Sequence, residues 1–242
     1  MEKPQLHTIL TPKLLDLYDA ENSIVVIIDV FRATSTIATA LYNGAKEIYP
    51  VADVQECILL GKNLNAITAG ERDGKVIEGL QFGNSPTEYS QDVIENKILV
   101  ITTTNGTKML QMALDQNADS IITGSFPNLG AVCEYLISQN KNVLLGCSGW
   151  KDRFNLEDVL FAGAVVSKVS EHFTIHCDSS LMAKELYELH QKDIKQFIRK
   201  TTHWHRLEAY GLEKDLEYCV TENAANVLPL YNKEKRALLI HR

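Results

Sequence analysis

The chain is poor in the features that mark several protein classes. Its five cysteines, Cys57, Cys133, Cys147, Cys177 and Cys219, are odd in number, widely spaced and free of any Cys-x-x-Cys pair. That pattern argues against a disulfide framework and against a zinc knuckle. No apolar run approaches the roughly 20 residues of a membrane span. Met1-Glu2-Lys3-Pro4 leads into no signal-like apolar segment. A cytoplasmic protein with no membrane partner is therefore expected. Basic residues are in deficit as well: 24 Lys and Arg stand against 31 Asp and Glu, a formal net charge of −7 over 242 residues. Nucleic acid needs a basic face, so no nucleic-acid partner is expected. A small anion needs only a local positive site and remains a candidate. Repeats, linkers and low-complexity stretches are missing too. Residues 1–242 thus read as one unit; two intimately packed α/β subdomains would also fit, with no assignable boundary.

What is present is a globular composition, 45% apolar and 23% charged. Short apolar runs alternate with amphipathic segments. Strands are expected at Ser23–Val30, Lys46–Val51, Asn65–Ala69, Lys97–Thr102, Ser120–Thr123, Asn142–Leu145 and Ala237–Ile240. Helices are expected at Arg32–Asn43 and from Asp53, where Glu56 three residues on resembles a capping box, to about Asn63. Further helices are expected from about Thr107 to Gln116, after Pro127, and at Leu156–His172, Ser179–Arg199 and Leu207–Val220. The alternation predicts an α/β, three-layer fold: a largely parallel or mixed sheet, helices on both faces, and a helical C-terminal region packed onto it.

Polar and glycine-rich pieces fall at the carboxyl ends of the expected strands, the edge where open α/β sheets bind ligands. Helix N-termini there offer free N–H groups to an anion. Thr102-Thr103-Thr104-Asn105-Gly106-Thr107 supplies hydroxyls, a tight Asn-Gly turn and a helix start. It suits a cradle for a tetrahedral anion, and equally an ordinary capped strand–helix turn; no Walker-type sequence is present. Asp29 ends an apolar strand with Arg32 three residues on. The carboxylate can bind a divalent cation and the guanidinium can grip phosphate, although alone the two would more simply be a structural pair. Glu71-Arg72 repeats the combination at a second strand end, which tips the balance toward function. Glu157-Asp158 open a helix, where the dipole favours acids anyway; a third carboxylate there could complete a magnesium site. Asn84 and Ser85 could contact ligand or merely cap.

Two patterns compete. Cys147 and Arg153 have the spacing of thiolate phosphatases, but the loop between them carries bulky Trp150 and acidic Asp152. His203 and His205, two apart, point to different faces of a strand or helix, so a shared metal is not expected. One of them could serve as an acid, and His205 is the choice.

Together these pieces resemble the 2-phosphosulfolactate phosphatase (ComB-like) family, over nearly the whole chain from about residue 5. The resemblance rests on Ile28-Asp29-Val30-Phe31-Arg32-Ala33-Thr34-Ser35, Gly70-Glu71-Arg72, Gly83-Asn84-Ser85-Pro86 and the Thr102–Thr107 run. Cys147-Ser148-Gly149 and Leu156-Glu157-Asp158 continue it, with His205-Arg206-Leu207 and Asp215 following more weakly. Phe31 and Ser148 depart from it, standing where an aliphatic and a small apolar residue are usual.

The resemblance implies a magnesium-dependent phosphatase that hydrolyses (2R)-phospho-3-sulfolactate to 3-sulfolactate and phosphate, a step of coenzyme M synthesis where that cofactor is made. On this expectation Asp29, Glu71 and Asp158 arrange Mg²⁺. Asp29, Arg32, Glu71, Arg72 and His205 form the catalytic set. Ser35, Asn84, Ser85, Thr103, Thr104, Asn105, Gly106, Thr107, Ser148 and Gly149 hold the small anionic phosphoester. Asp29 could instead be the phosphoryl acceptor, and a homodimer would be ordinary for such an enzyme. A metal-independent cysteine phosphatase built on Cys147 and Arg153, or a non-catalytic anion-binding domain, are the alternatives.

Overall fold

The β-branched run Ser23–Ile28 forms a fully buried strand, as its composition demands. It is one of ten strands in a computed structural model that describes residues 2–72, 75–103 and 105–241. The first half of the chain gives β1 (Leu6–Ile9), β2 (Ser23–Ile28), α1 (Ala33–Tyr42), β3 (Glu47–Val51), α2 (Val54–Leu64), β4 (Ile67–Arg72), β5 (Lys75–Val76), α3 (Gln91–Ile94), β6 (Ile98–Thr102) and α4 (Asn105–Asp115). Then come β7 (Ser120–Gly124), α5 (Leu129–Gln139), β8 (Asn142–Cys147) and α6 (Leu156–Val169). The C-terminal part holds α7 (Asp178–His190), α8 (Ile194–Ile198), α9 (Thr202–Glu208), α10 (Glu213–Cys219), β9 (Pro229–Asn232) and β10 (Ala237–Ile240). No helix among the described residues is long and apolar enough to cross a membrane.

The strands join in the order β1-β8-β2-β7-β9-β10-β3-β6-β4-β5. Two parallel blocks result. In one, β2 lies between β8 and β7, with Ile24 opposite Val143 on one side and Ser120 on the other. In the other, β6 lies between β3 and β4. The antiparallel hairpin β9–β10 bridges them, touching β7 at Ile122–Leu230 and β3 at Ile48–Leu238. Three antiparallel steps in a row reverse direction, so β3, β6 and β4 run opposite to β7 and β2. The expectation of one shared carboxyl edge is thus too simple; the ends of β2, β4 and β6 converge from opposed blocks.

Alternation along β2 sorts the core. Ile24, Val26 and Ile28 face α5 and α6, while Val25 and Ile27 face α1 and α4. On the second block Leu99 and Ile101 join the α1–α4 side, and Val100 packs with Cys57 of α2 on the other. This is the expected three-layer α/β arrangement. The C-terminal helices extend the α6 layer through Ala183, Ile198, Trp204 and Leu216. There α7 comes so near α6 that a Cβ on Gly163 would lie 1.9 Å from the Ala183 carbonyl oxygen.

Local signals held where they were chemical. Asp53 caps α2 by accepting from the N–H groups of Gln55 and Glu56, at 2.8 and 3.0 Å. The expected helix Ser179–Arg199 is in fact α7 and α8, and Leu207–Val220 is the end of α9 plus α10, with Gly211 at φ +75° between them. A single positive-φ glycine suffices to end α9 there.

Candidate active site

A cavity of about 300 Å³ opens where the two blocks meet. Asp29, Arg32, Glu71, Arg72, Asn84, Thr103 and Asn105 line it, all expected from the sequence. Trp150, Lys151, His203, Arg206 and Tyr210 also line it, beyond the site residues expected from the sequence.

Asp29 follows β2 directly. Its N–H donates to Thr34 Oγ1 at 3.1 Å, and its carbonyl accepts from the Thr34 N–H at 3.0 Å, which locks the turn into α1. Burial pushes its carboxyl from the ordinary 3.8 up to about 6. The His203 charge and the Gly106 amide pull it down, while Glu157 and Glu71 push it further up. The first turn of α4 therefore spends an N–H on Asp29. A Cβ at Gly106 would lie 3.5 Å from Asp29 Oδ2, so the glycine keeps that approach open.

Arg32 occupies the N-cap position of α1 and is almost wholly buried. One guanidinium nitrogen donates to Asp215 Oδ2 at 2.6 Å and another pairs with Glu71 Oε2. Asp215 in turn accepts from Ser85 Oγ at 2.8 Å and Thr87 Oγ1 at 3.0 Å. Arg32 is thus clamped between two carboxylates, and Ser85 fixes that clamp instead of lining the cavity. Arg72 is exposed and donates to the carbonyl of Glu71 at 2.8 Å.

Behind the cavity, α6 begins with Glu157 and Asp158. Asp158 accepts from the N–H of Val30 at 2.9 Å and of Gly149 at 3.0 Å. Each of its oxygens holds backbone, tying the β2 turn to the loop after β8. Burial, then Glu157, then Asp29 push its carboxyl well above the usual range. Glu157 is fully buried; Oε1 meets Nδ1 of His203, and Oε2 has no hydrogen-bond partner among the described residues. The His203 ring is also held edge-on by Phe31, with centroids 5.7 Å apart. This corrects the choice of histidine. His203 has 9% of its side chain exposed and lines the cavity, whereas His205 is 62% exposed and pairs with Glu208. Two residues along a helix turn through about 200°, so α9 can offer only one of them. Periodicity could have chosen correctly: His203 and Leu207, four apart, share the buried face of α9.

The loop after β8 builds the remaining wall. Gly149 has φ +58°, and a Cβ there would lie 2.2 Å from the Arg153 carbonyl oxygen. That space lets Trp150 and Arg153 pair their backbones at 2.8 and 3.0 Å. Asp152 is pinned by Lys108 of α4 and by Lys13. Trp150 stands between two cations: the Arg206 guanidinium 4.0 Å from its ring centroid and Lys151 Nζ at 4.5 Å.

The other expected ligands divide. Thr107 Oγ1 donates to the Thr103 carbonyl and shapes the start of α4. Thr104 lies outside the described residues. Ser35 is fully buried and its Oγ donates to the Val30 carbonyl at 2.9 Å, a structural tie away from the cavity. Ser148 is buried, its N–H donating to the Ile28 carbonyl at 2.7 Å, and it does not line the cavity. Cys147 does not suit a thiolate nucleophile either. It lies in the core, and burial, with Asp158 and Glu157 nearby, pushes its thiol well above the ordinary range. Arg153 is exposed and does not line the cavity.

Among the described residues no group of three or more His, Cys, Asp or Glu side chains stands ready-made to hold a metal ion. The proposed trio Asp29, Glu71 and Asp158 is therefore not assembled as such: Arg32 occupies one oxygen of Glu71, and backbone occupies Asp158. Oxygen donors with capacity left include Asp29, the unpartnered Oε2 of Glu157 and the unpartnered Oδ1 of Asn84.

The family model described as 2-phosphosulpholactate phosphatase matches residues 9–234. A probable 2-phosphosulfolactate phosphatase of Caldanaerobacter subterraneus subsp. tengcongensis is 36% identical over 228 residues, 89% of this chain and 94% of the relative. One from Thermotoga petrophila is 40% identical over 204 residues, 84% of this chain and 87% of the relative. One from Clostridium perfringens is 35% identical over 230 residues, covering 93% and 92%.

Proposed function

The chain belongs to the 2-phosphosulfolactate phosphatase family, and on that footing we propose that it hydrolyses 2-phospho-3-sulfolactate to 3-sulfolactate and phosphate with the help of Mg²⁺. The observation that carries the reading is the meeting of Asp29, the first turn of α4 and several cationic side chains on one cavity.

The donor set fits a hard divalent cation. Crowded carboxylates raise one another's proton affinity, and the buried Oε2 of Glu157 has no hydrogen-bond partner among the described residues. Asp29 and Glu157 would hold Mg²⁺; oxygen-only donors suit this ion. The chemistry such an ion supplies when bound is neutralisation of phosphoryl oxygens and acidification of water.

The chain's own residues do the rest. Thr103 and Asn105, with the N-terminus of α4, receive the phosphoryl group, where N–H groups and helix dipole oppose its charge. Arg32 holds Glu71 and Asp215 in place and thereby sets the cavity floor. His203 delivers a proton to the leaving alkoxide oxygen, and the Glu157 carboxylate beneath matches the positive ring before transfer.

A phosphate-release assay on 2-phospho-3-sulfolactate tests the reading. Treatment with EDTA is expected to lower the rate at least about tenfold, and added Mg²⁺ to restore it. Full activity after chelation would remove the metal from the mechanism.

A further inference from the structure

The cavity holds more positive charge than a phosphoryl group requires, and its arginines are not equivalent. Arg32 is spent on Glu71 and Asp215. Arg72 is exposed and leans on its neighbour's carbonyl. Arg206 differs from both: it is half-buried, lines the cavity, and makes no hydrogen bond or ion pair among the described residues. Its guanidinium rests flat charge on the Trp150 ring, an arrangement that fixes a planar fork without using its donors. The ring is itself placed by a closed loop, through the Trp150–Arg153 backbone pair, the Gly149 turn and the Asp152 bridges. Burial lowers the guanidinium's pKa, yet Arg206 keeps its charge at any working pH.

A pre-oriented guanidinium with idle donors beside a phosphoryl cradle implies a substrate with an acid group besides the phosphoryl, and the substrate proposed above carries two, a carboxylate and a sulfonate. We propose that Arg206, braced on Trp150 and seconded by Lys151, is the receptor for the sulfonate of the substrate and so sets the enzyme's preference for a sulfonated over an unsulfonated phosphoester. This rests on the function proposed above, and goes beyond it by assigning the sulfonate, the one acid group that 2-phospholactate lacks, to a wall outside the phosphoryl cradle. Trp150 is a positioning residue here; Arg206 touches the ligand.

The experiment compares kcat/KM for 2-phospho-3-sulfolactate and 2-phospholactate, and separately measures calorimetric binding of 3-sulfolactate and lactate. In Arg206→Gln the sulfonated-to-unsulfonated ratio of kcat/KM is expected to fall about 10- to 100-fold, the loss of a hydrogen-bonded charge. Arg206→Lys should recover part of the ratio. Trp150→Leu should lower it and Trp150→Phe should keep most of it, a distinction that simple misfolding would not produce. A ratio that stays at the wild-type value in Arg206→Gln overturns the proposal. Wild-type protein that binds 3-sulfolactate through Arg206 but releases no phosphate would overturn the proposed activity and leave this receptor standing. Protein that does neither overturns both.

Discussion

The two walls of the cavity treat charge in opposite ways. On the wall made by β2, α1 and β4, strong charges already have protein partners: Arg32 with Glu71 and Asp215, Asp29 with the amide of Gly106. On the wall made by the loop after β8 and by α9, Arg206 and Lys151 share, among the described residues, only the Trp150 ring. A paired charge fixes geometry before any ligand arrives; an unpaired one waits for a ligand to complete it. The site thus separates the work of holding its shape from that of recognising its substrate.

Removing Arg32 attacks the first wall most directly. Arg32→Leu would strand two carboxylates, one of them buried, and is expected to cost about 3–5 kcal/mol in urea unfolding. A loss under about 1 kcal/mol would mean that the clamp does not hold the fold. Next come the two histidines of α9. His203→Gln is expected to lower kcat about 100-fold, as loss of a general acid does. His205→Gln, on the exposed face, should stay within about twofold. Equal effects would erase the distinction between the two faces of the helix.

The smallest effect concerns pH. In metal-free protein, folded Asp29 keeps its proton up to about pH 6, whereas the unfolded carboxyl releases it near 3.8. The stability this contributes is fully present below 3.8 and is lost as pH rises through about 6. Asp29→Asn should therefore flatten the fall in Tm over that window. Because Mg²⁺ must displace the same proton, its apparent affinity should drop about tenfold per pH unit below the Asp29 pKa. Calorimetric titration at two pH values on that side checks this, and an unchanged Kd would separate Asp29 from the metal.

The fold was legible wherever local chemistry decided it. β2, the cap of α2 and the strand Ala237–Ile240 all followed from their own residues. β1 and β9 did not: Leu6-His7-Thr8-Ile9 has neither the apolar run of Ala237–Ile240 nor a strict alternation, and β9 begins at a proline. The opposed run of the second block was hidden for another reason: it is set by β9–β10, more than 100 residues further along the chain than β6. The site divides likewise. Asp29, Glu71 and the start of α4 were visible because strand ends announce themselves. Asp215 lies 183 positions from Arg32, and no local pattern links them. Glu157 was passed over for Asp158, since adjacent acids at a helix start look alike until backbone claims one of them.

The hairpin β9–β10 has a consequence for how the molecule comes into being. It is synthesised after every other strand described, yet it is the piece that joins the two blocks. Until it arrives, β7 and β3 each display a bare row of peptide groups, the kind of edge that recruits strands from other chains. Asp29 and Glu71 belong to different blocks, so the nascent enzyme has its acids before it has its cavity. A chain stalled or trimmed ahead of Pro229 is then expected to be an aggregation hazard first and an inactive enzyme second.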